Sequence, residues 1–174
     1  MITIISGTNR NGSNTVKVAK VYENYLNELG KSVKFCDLCE MPVDMLNHDM
    51  YGNPSEAFAK FQDEFIVQAK KFVIVVPEYN GSFPGIFKLM IDACPVQPAF
   101  HGKKAMLTGV SAGRAGNLRG LDGLTNMLNY IKVGVLQNKI PISGIGDLLD
   151  ENGNFNHTDT IELMKTQVNQ FLKF

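Results

Sequence analysis

The chain has 174 residues, 44% of them hydrophobic, and 17 basic side chains balance 17 acidic ones. That length suits a single domain, taken here as 1–174, and that much apolar material builds a core without disulfides or metal staples. Zero net charge excludes a generic nucleic-acid coat and an electrostatic membrane binder, and no apolar run approaches the roughly 18–20 residues that cross a bilayer.

Met1–Ser6 is β-branched and apolar and reads as a buried strand. It lacks the basic n-region of a signal peptide, so it is expected to be structure. After the polar loop Gly7–Gly12, apolar residues recur at helical spacing from Asn14 to Leu29, with Gly30 placed as a C-cap. Lys31–Asp37 reads as a second strand and Leu38–Pro54 as a long irregular segment. Ser55–Ala69 carries Phe58, Phe61, Phe65 and Ile66 on one helical face. Phe72–Val76 is uninterruptedly apolar, as a central parallel strand covered on both faces would be.

Beyond the loop Pro77–Pro84, a short helix spans Gly85–Cys94 and stops at Pro95. Lys104–Val110 is a fourth strand, Ser111–Asn117 a Gly-bearing loop, and Leu118–Ile131 a helix. Val133–Ser143 holds a weaker strand, and Thr158–Leu172 is a last helix after an Asn152-Gly153 turn. This alternation predicts an α/β fold, a doubly wound five-stranded parallel sheet with helices on both faces. Ligands of such sheets bind beyond the carboxyl ends of the strands, which directs attention to the loops after the first, third and fourth strands.

The first of these loops has the composition of an anion site. A helix N-terminus offers free N–H groups and a favourable dipole, and Thr8, Arg10, Ser13, Asn14 and Thr15 add hydroxyls, an amide and a guanidinium. Helix capping by Ser13 or Asn14 is the plainer reading, but it needs one such residue. Gly7 and Gly12 have Walker-like spacing, yet Ser13 stands where the lysine would be, and there is no G-x-G-x-x-G. A terminal monophosphate fits better than a nucleoside triphosphate or a dinucleotide pyrophosphate. In the second loop, Pro77, Glu78, Tyr79, Asn80, Gly81 and Ser82 form either a stiff turn or a row of backbone groups facing a flat heterocycle.

Cys36, Cys39 and Cys94 are an odd set and point to a reducing, cytoplasmic setting. The Cys36-x-x-Cys39 spacing straddles a strand end rather than opening a helix, and His48, His101 and His157 are scattered. Ordinary thiols are therefore expected, and neither a redox pair nor a zinc site.

Gly7-Thr8-Asn9-Arg10 with Ser13-Asn14, then Pro77–Gly85 with Lys88 and Asp92, resemble the NADPH-dependent FMN reductase family, which includes azo, quinone and chromate reductases. Ser111–Arg119 resembles its third flavin loop and Asp150–Phe155 its closing turn. The resemblance implies a flavodoxin-like fold holding FMN. Thr8, Arg10, Ser13, Asn14 and Thr15 would hold the phosphate, Pro77, Glu78, Tyr79, Asn80, Gly81 and Ser82 would border the isoalloxazine, and Ser111, Gly113, Arg114 and Gly116 would line its other edge. It implies hydride transfer from NADPH or NADH to flavin N5, then reduction of a small oxidised acceptor such as a flavin, quinone, azo compound or metal oxyanion. No side chain needs to act as an acid or base in the hydride step. Backbone donors would tune the flavin.

Two other classes stand beside this one: a flavodoxin-type FMN electron carrier without nicotinamide oxidase activity, and a binding module that has lost its cofactor. Carriers are usually strongly acidic, so zero net charge and Arg10 favour the reductase. The Met-rich Leu38–Pro54 segment either overhangs the flavin, from this subunit or a partner, or tucks onto the core. Helix Gly85–Cys94 is apolar almost all round, as expected of a helix wedged between sheet and partner, and a homodimer or tetramer follows. The three arginines, Arg10, Arg114 and Arg119, all fall in or beside candidate ligand loops, whereas the fourteen lysines are spread along the chain.

Overall fold

The computed structural model describes residues 1–46 and 49–174; His48, counted among the scattered histidines, and its neighbour Asn47 lie outside the described residues. Strands β1 (Ile2–Ser6), β2 (Val33–Asp37), β3 (Lys71–Pro77), β4 (Lys104–Val110), β5 (Gly134–Val135) and β6 (Ile140–Ile142) form one sheet. The order is β2-β1-β3-β4-β5, β6 also pairs with β4, and every pairing is parallel. Strand order reverses between β1 and β3, which is the flavodoxin-like arrangement.

Side-chain alternation along the central strands feeds two cores. Ile4, Val73, Val75 and Met106 pack beneath α1 (Asn14–Glu28) and α6 (Thr158–Lys173) with Val18, Tyr22, Met164 and Phe171. Ile5, Phe72, Ile74 and Leu107 pack on the opposite side against α2 (Glu56–Gln62), α3 (Gly85–Ala93), α4 (Val96–Phe100) and α5 (Leu118–Tyr130), through residues such as Phe58, Phe87, Ala99 and Leu124. The tie between α1 and α6 is polar as well. Tyr22 Oη lies 2.6 Å from Thr108 Oγ1 and donates to Gln167 Oε1 at 2.7 Å. Gln167 Nε2 in turn donates to the carbonyls of Leu107 and Asn138.

Three elements differ from the sequence expectation. The helix expected over Ser55–Ala69 ends as an α-helix at Gln62 and continues as a π turn over Asp63–Val67, closed by Gln68 N–H donating to the Asp63 carbonyl. Pro95 ends α3 but also caps α4, where Pro98 sits in the first turn and needs no N–H. The weak strand expected within Val133–Ser143 is present in two pieces, β5 and β6, at the fifth position of the sheet.

Helix α1 ends as read: Gly30, at φ +65°, donates to the Asn27 carbonyl and Lys31 N–H to that of Leu26. In the Leu38–Pro54 segment, short 3-10 turns cover Leu38–Glu40 and Val43–Leu46. Leu38, Met41, Met45 and Met50 are buried in the core, whereas Val43, Leu46 and Tyr51 are exposed. Among the described residues, no helix is long and apolar enough to cross a membrane.

Candidate active site

The loops after β1, β3 and β4 meet at the carboxyl ends of the strands. Gly7 permits the first approach. A Cβ there would lie 2.6 Å from Val76 Cγ1, and the Gly7 N–H donates to the Val75 carbonyl at 2.8 Å. Ser13 then caps α1, its Oγ accepting the Val16 N–H. Capping and an anion site coexist here, because the amides of Asn14 and Thr15, at the first two helical positions, have no partner within the helix.

The second loop is a tight turn. Tyr79 and Ser82 exchange backbone hydrogen bonds of 2.9 and 3.1 Å, with Asn80 at φ 52° and Gly81 at φ 76° between them. Both central residues are left-handed, which is the reason for Asn-Gly at these positions. Glu78 N–H donates to the Val110 carbonyl at 2.8 Å, fixing the turn to the end of β4.

The third loop is folded around Ser111, whose Oγ donates to the Gly113 carbonyl at 2.7 Å and accepts the Gly116 N–H at 2.9 Å. Gly116 is buried at φ 58°, and a Cβ there would lie 2.6 Å from Pro141 Cβ. Asn117 clasps the second and third loops together. Fully buried, it donates through Nδ2 to the carbonyls of Val76 (3.2 Å) and Pro77 (2.9 Å), while its N–H donates to Glu78 Oε2 at 3.2 Å.

The result is two adjoining hollows that share Glu78, Ser111 and Ala112. One, of about 380 Å³, is lined by Arg10, Ser13, Asn14, Thr15, Pro77 and Tyr79. The other, of about 420 Å³, is lined by Asn80, Gly81, Gly113 and Arg114. Of the residues singled out in the sequence, twelve line this cleft. Thr8, Ser82 and Gly116 do not. Thr8 is buried behind the first loop, Ser82 closes the turn, and Gly116 is held against Pro141.

Sequence reasoning missed several contributors, among them Asn11 and Gly12 in the first hollow and Ala115 in the second. Val110, Ala112 and Ile145 line the first hollow, Ile145 being brought there by its N–H bond to the Ser111 carbonyl. Asn117 stands before a helix and looks like an ordinary cap; its left-handed backbone, φ 63°, is the part no local signal gives away.

The donor set fits FMN. At one end a guanidinium, two hydroxyls, an amide side chain and free helix amides suit a dianionic phosphate. Glu78, the one carboxylate on the lining, already accepts the Asn117 N–H. At the other end lie backbone-rich turns suited to a flat heterocycle. Cys36 is buried in β2 and Cys39 is exposed, its Sγ donating to the Thr8 carbonyl. Burial raises both thiols, and the nearby Asp37 carboxylate adds to the shift, so neither has the lowered pKa of a reactive cysteine. Among the described residues, no group of three or more His, Cys, Asp or Glu side chains is placed to hold a metal.

Comparison with known proteins gives the same picture. The family model described as NADPH-dependent FMN reductase matches residues 1–146. An NAD(P)H-dependent FMN reductase of Pseudomonas aeruginosa is 31% identical over 144 residues, covering 80% of this chain and 76% of that one. A quinone reductase of Pseudomonas putida is 29% identical over 163 residues, 89% of this chain and 84% of its own. Among solved structures, the flavoenzyme NAD(P)H:(acceptor) oxidoreductase FerB from Paracoccus denitrificans superimposes with a TM-score of 0.80 at 22% identity, over 99% of this chain and 94% of that one.

Proposed function

Because the chain belongs to the NADPH-dependent FMN reductase family, we propose that the cleft across its first, second and third loops is its FMN site. The protein is an FMN-dependent NAD(P)H oxidoreductase acting on small acceptors. Bound FMN supplies the redox chemistry that couples NAD(P)H oxidation to acceptor reduction. Arg10, Ser13, Asn14 and Thr15 hold the phosphate, with Thr8 supporting them from behind. Pro77, Glu78, Tyr79, Asn80 and Gly81 border the ring, with Ser82 closing their turn, and Ser111, Gly113 and Arg114 form its other edge, with Gly116 supporting that loop from behind. Backbone groups of the Tyr79–Ser82 turn position the ring and favour added electron density on it. No side chain of the cleft is required as an acid or base in the hydride step.

The observation that carries this reading is the joining of two unlike hollows, one rich in anion donors and one walled by turns, through shared residues Glu78, Ser111 and Ala112. The acceptors are flavins, quinones, azo compounds or metal oxyanions, in a reducing cytoplasmic setting, and residues 1–174 work as one domain. The purified protein is expected to be yellow and to bleach with NADPH or NADH under nitrogen. Absence of colour even after adding FMN would refute the site; colour that neither nicotinamide bleaches would mark a flavodoxin-type carrier instead.

The outer side of α3 supports self-association. Ile86 and Leu89 stay half-buried against the core, beside the Lys88–Asp92 ion pair (2.7 Å). A homodimer or tetramer buries the remainder, and a monomeric mass at micromolar concentration would contradict it.

A further inference from the structure

The family reading gives Thr8 to the phosphate, yet Thr8 is 0% exposed and lines neither hollow. Its Oγ1 accepts the Arg10 N–H at 3.2 Å and lies 2.9 Å from Tyr79 Oη. A hydroxyl carries one proton, and a buried one is strongly driven to find an acceptor. Among the described residues, the hydroxyl partner of Thr8 Oγ1 that can accept is Tyr79 Oη. Thr8 therefore donates to Tyr79, and the Tyr79 proton is left for something else.

Where Tyr79 sits decides what that is. Its neighbours Asn80 and Gly81 line the ring-end hollow, but Tyr79 itself lines the phosphate-end hollow, together with Arg10, Ser13, Asn14 and Thr15. The tight turn over Asn80 and Gly81 sends this one side chain back toward the first loop. We infer that the Tyr79 hydroxyl, oriented by Thr8, is a further donor to the anionic end of the bound flavin, and that it helps the protein tell FMN from a flavin without phosphate. Arg10 N–H, Thr8 O–H and Tyr79 O–H form a chain of donors pointing one way, and such chains strengthen their last member. Thr8 is then a positioning residue. This rests on the cleft being the FMN site.

The test is titration of the full chain, freed of flavin, with FMN and separately with riboflavin, read by flavin fluorescence. Tyr79→Phe keeps the ring and removes only the hydroxyl. It is expected to weaken FMN about tenfold while riboflavin stays within about twofold. Thr8→Val should weaken FMN in the same direction, the double variant should be no weaker than Tyr79→Phe alone, and Thr8→Ser should bind as the unaltered chain does. Unchanged riboflavin binding also reports that each variant is folded. Equal losses for both flavins, FMN affinity within about twofold of the unaltered chain, or additive losses in the double variant would overturn the assignment. Failure of the unaltered chain to take up FMN would overturn the FMN site itself, and this inference with it.

Discussion

The two rims of the sheet use the same electrostatics to opposite ends. At the amino ends of the strands, lysines close off helix C-termini. Lys71 Nζ donates to the Phe171 and Leu172 carbonyls of α6 at 2.8 and 3.3 Å, and Lys103 Nζ donates to the Ile66 and Val67 carbonyls of the π turn, both at 2.7 Å. Lys104 Nζ donates to the Phe174 carbonyl. At the carboxyl ends the arrangement is reversed. The N-terminus of α1 keeps free amides, and Arg10 and Arg114 stand exposed beside the cleft. Each of these three lysines has a partner in the chain; the two arginines on the second rim face a cleft that suits an anion brought from outside. Folding stability and ligand affinity are thereby assigned to opposite ends of the same strands.

That separation can be broken, and the largest expected effect is at the open rim. Arg10→Ala removes a charge-assisted contact worth about 1.5–3 kcal/mol, so FMN should bind about ten- to a hundredfold more weakly. The melting temperature of the flavin-free chain should hardly move. An FMN affinity within about twofold of the unaltered chain would place the phosphate elsewhere.

The converse is Lys103→Met. Losing both carbonyl bonds should cost about 1–2 kcal/mol of stability, seen as a lower denaturation midpoint, with FMN affinity unchanged. A parallel loss of FMN affinity would show that the rims are coupled.

Lys103 also predicts a pH dependence. Burial lowers its ammonium to about 8, partly offset by the field of the Cys94 thiolate when that ionises. The unfolded chain keeps this proton to about 10.4. Between those values unfolding takes up a proton, so the stability owed to Lys103 rises with pH. The melting temperature of the unaltered chain minus that of Lys103→Met should therefore grow from pH 7.5 to 9.5. A flat difference would mean that Lys103 stays charged in the folded state.

The smallest effect is expected at Lys132. This residue holds φ 61° where α5 ends, its N–H donating to the Asn129 carbonyl. Glycine adopts that conformation without the Cβ penalty, so Lys132→Gly should stabilise by about 0.5–1 kcal/mol, roughly 1–4 °C in melting temperature. FMN binding should be indifferent to it.

The central strands were legible because a strand buried on both faces is apolar at every position; Lys104–Val110 coincides with its expected bounds. The cleft was legible where backbone demands a residue type, as at Asn80-Gly81, or where donors cluster, as from Arg10 to Thr15. What escaped depends on distant partners. The π turn has its carbonyls held by Lys103, more than thirty residues on. Ile145 reaches the cleft through Ser111, and the hydroxyl of Thr8 meets that of a tyrosine 71 positions away. Local pattern shows that a loop carries donors, but not which of them faces the ligand.

The broken fifth strand bears on how the chain can associate wrongly. β5 has two residues and β6 three, with Pro141, which has no N–H to offer, at the middle of β6. Neither piece is a template on which a strand of another molecule can extend the sheet, and β2 at the far edge carries Lys34 and Asp37. Edge-to-edge aggregation is disfavoured at both borders, so contacts between copies are left to the helical faces. Replacing Pro141 with valine would restore an N–H to that edge and should make the protein more prone to aggregate at high concentration, a change that light scattering would register.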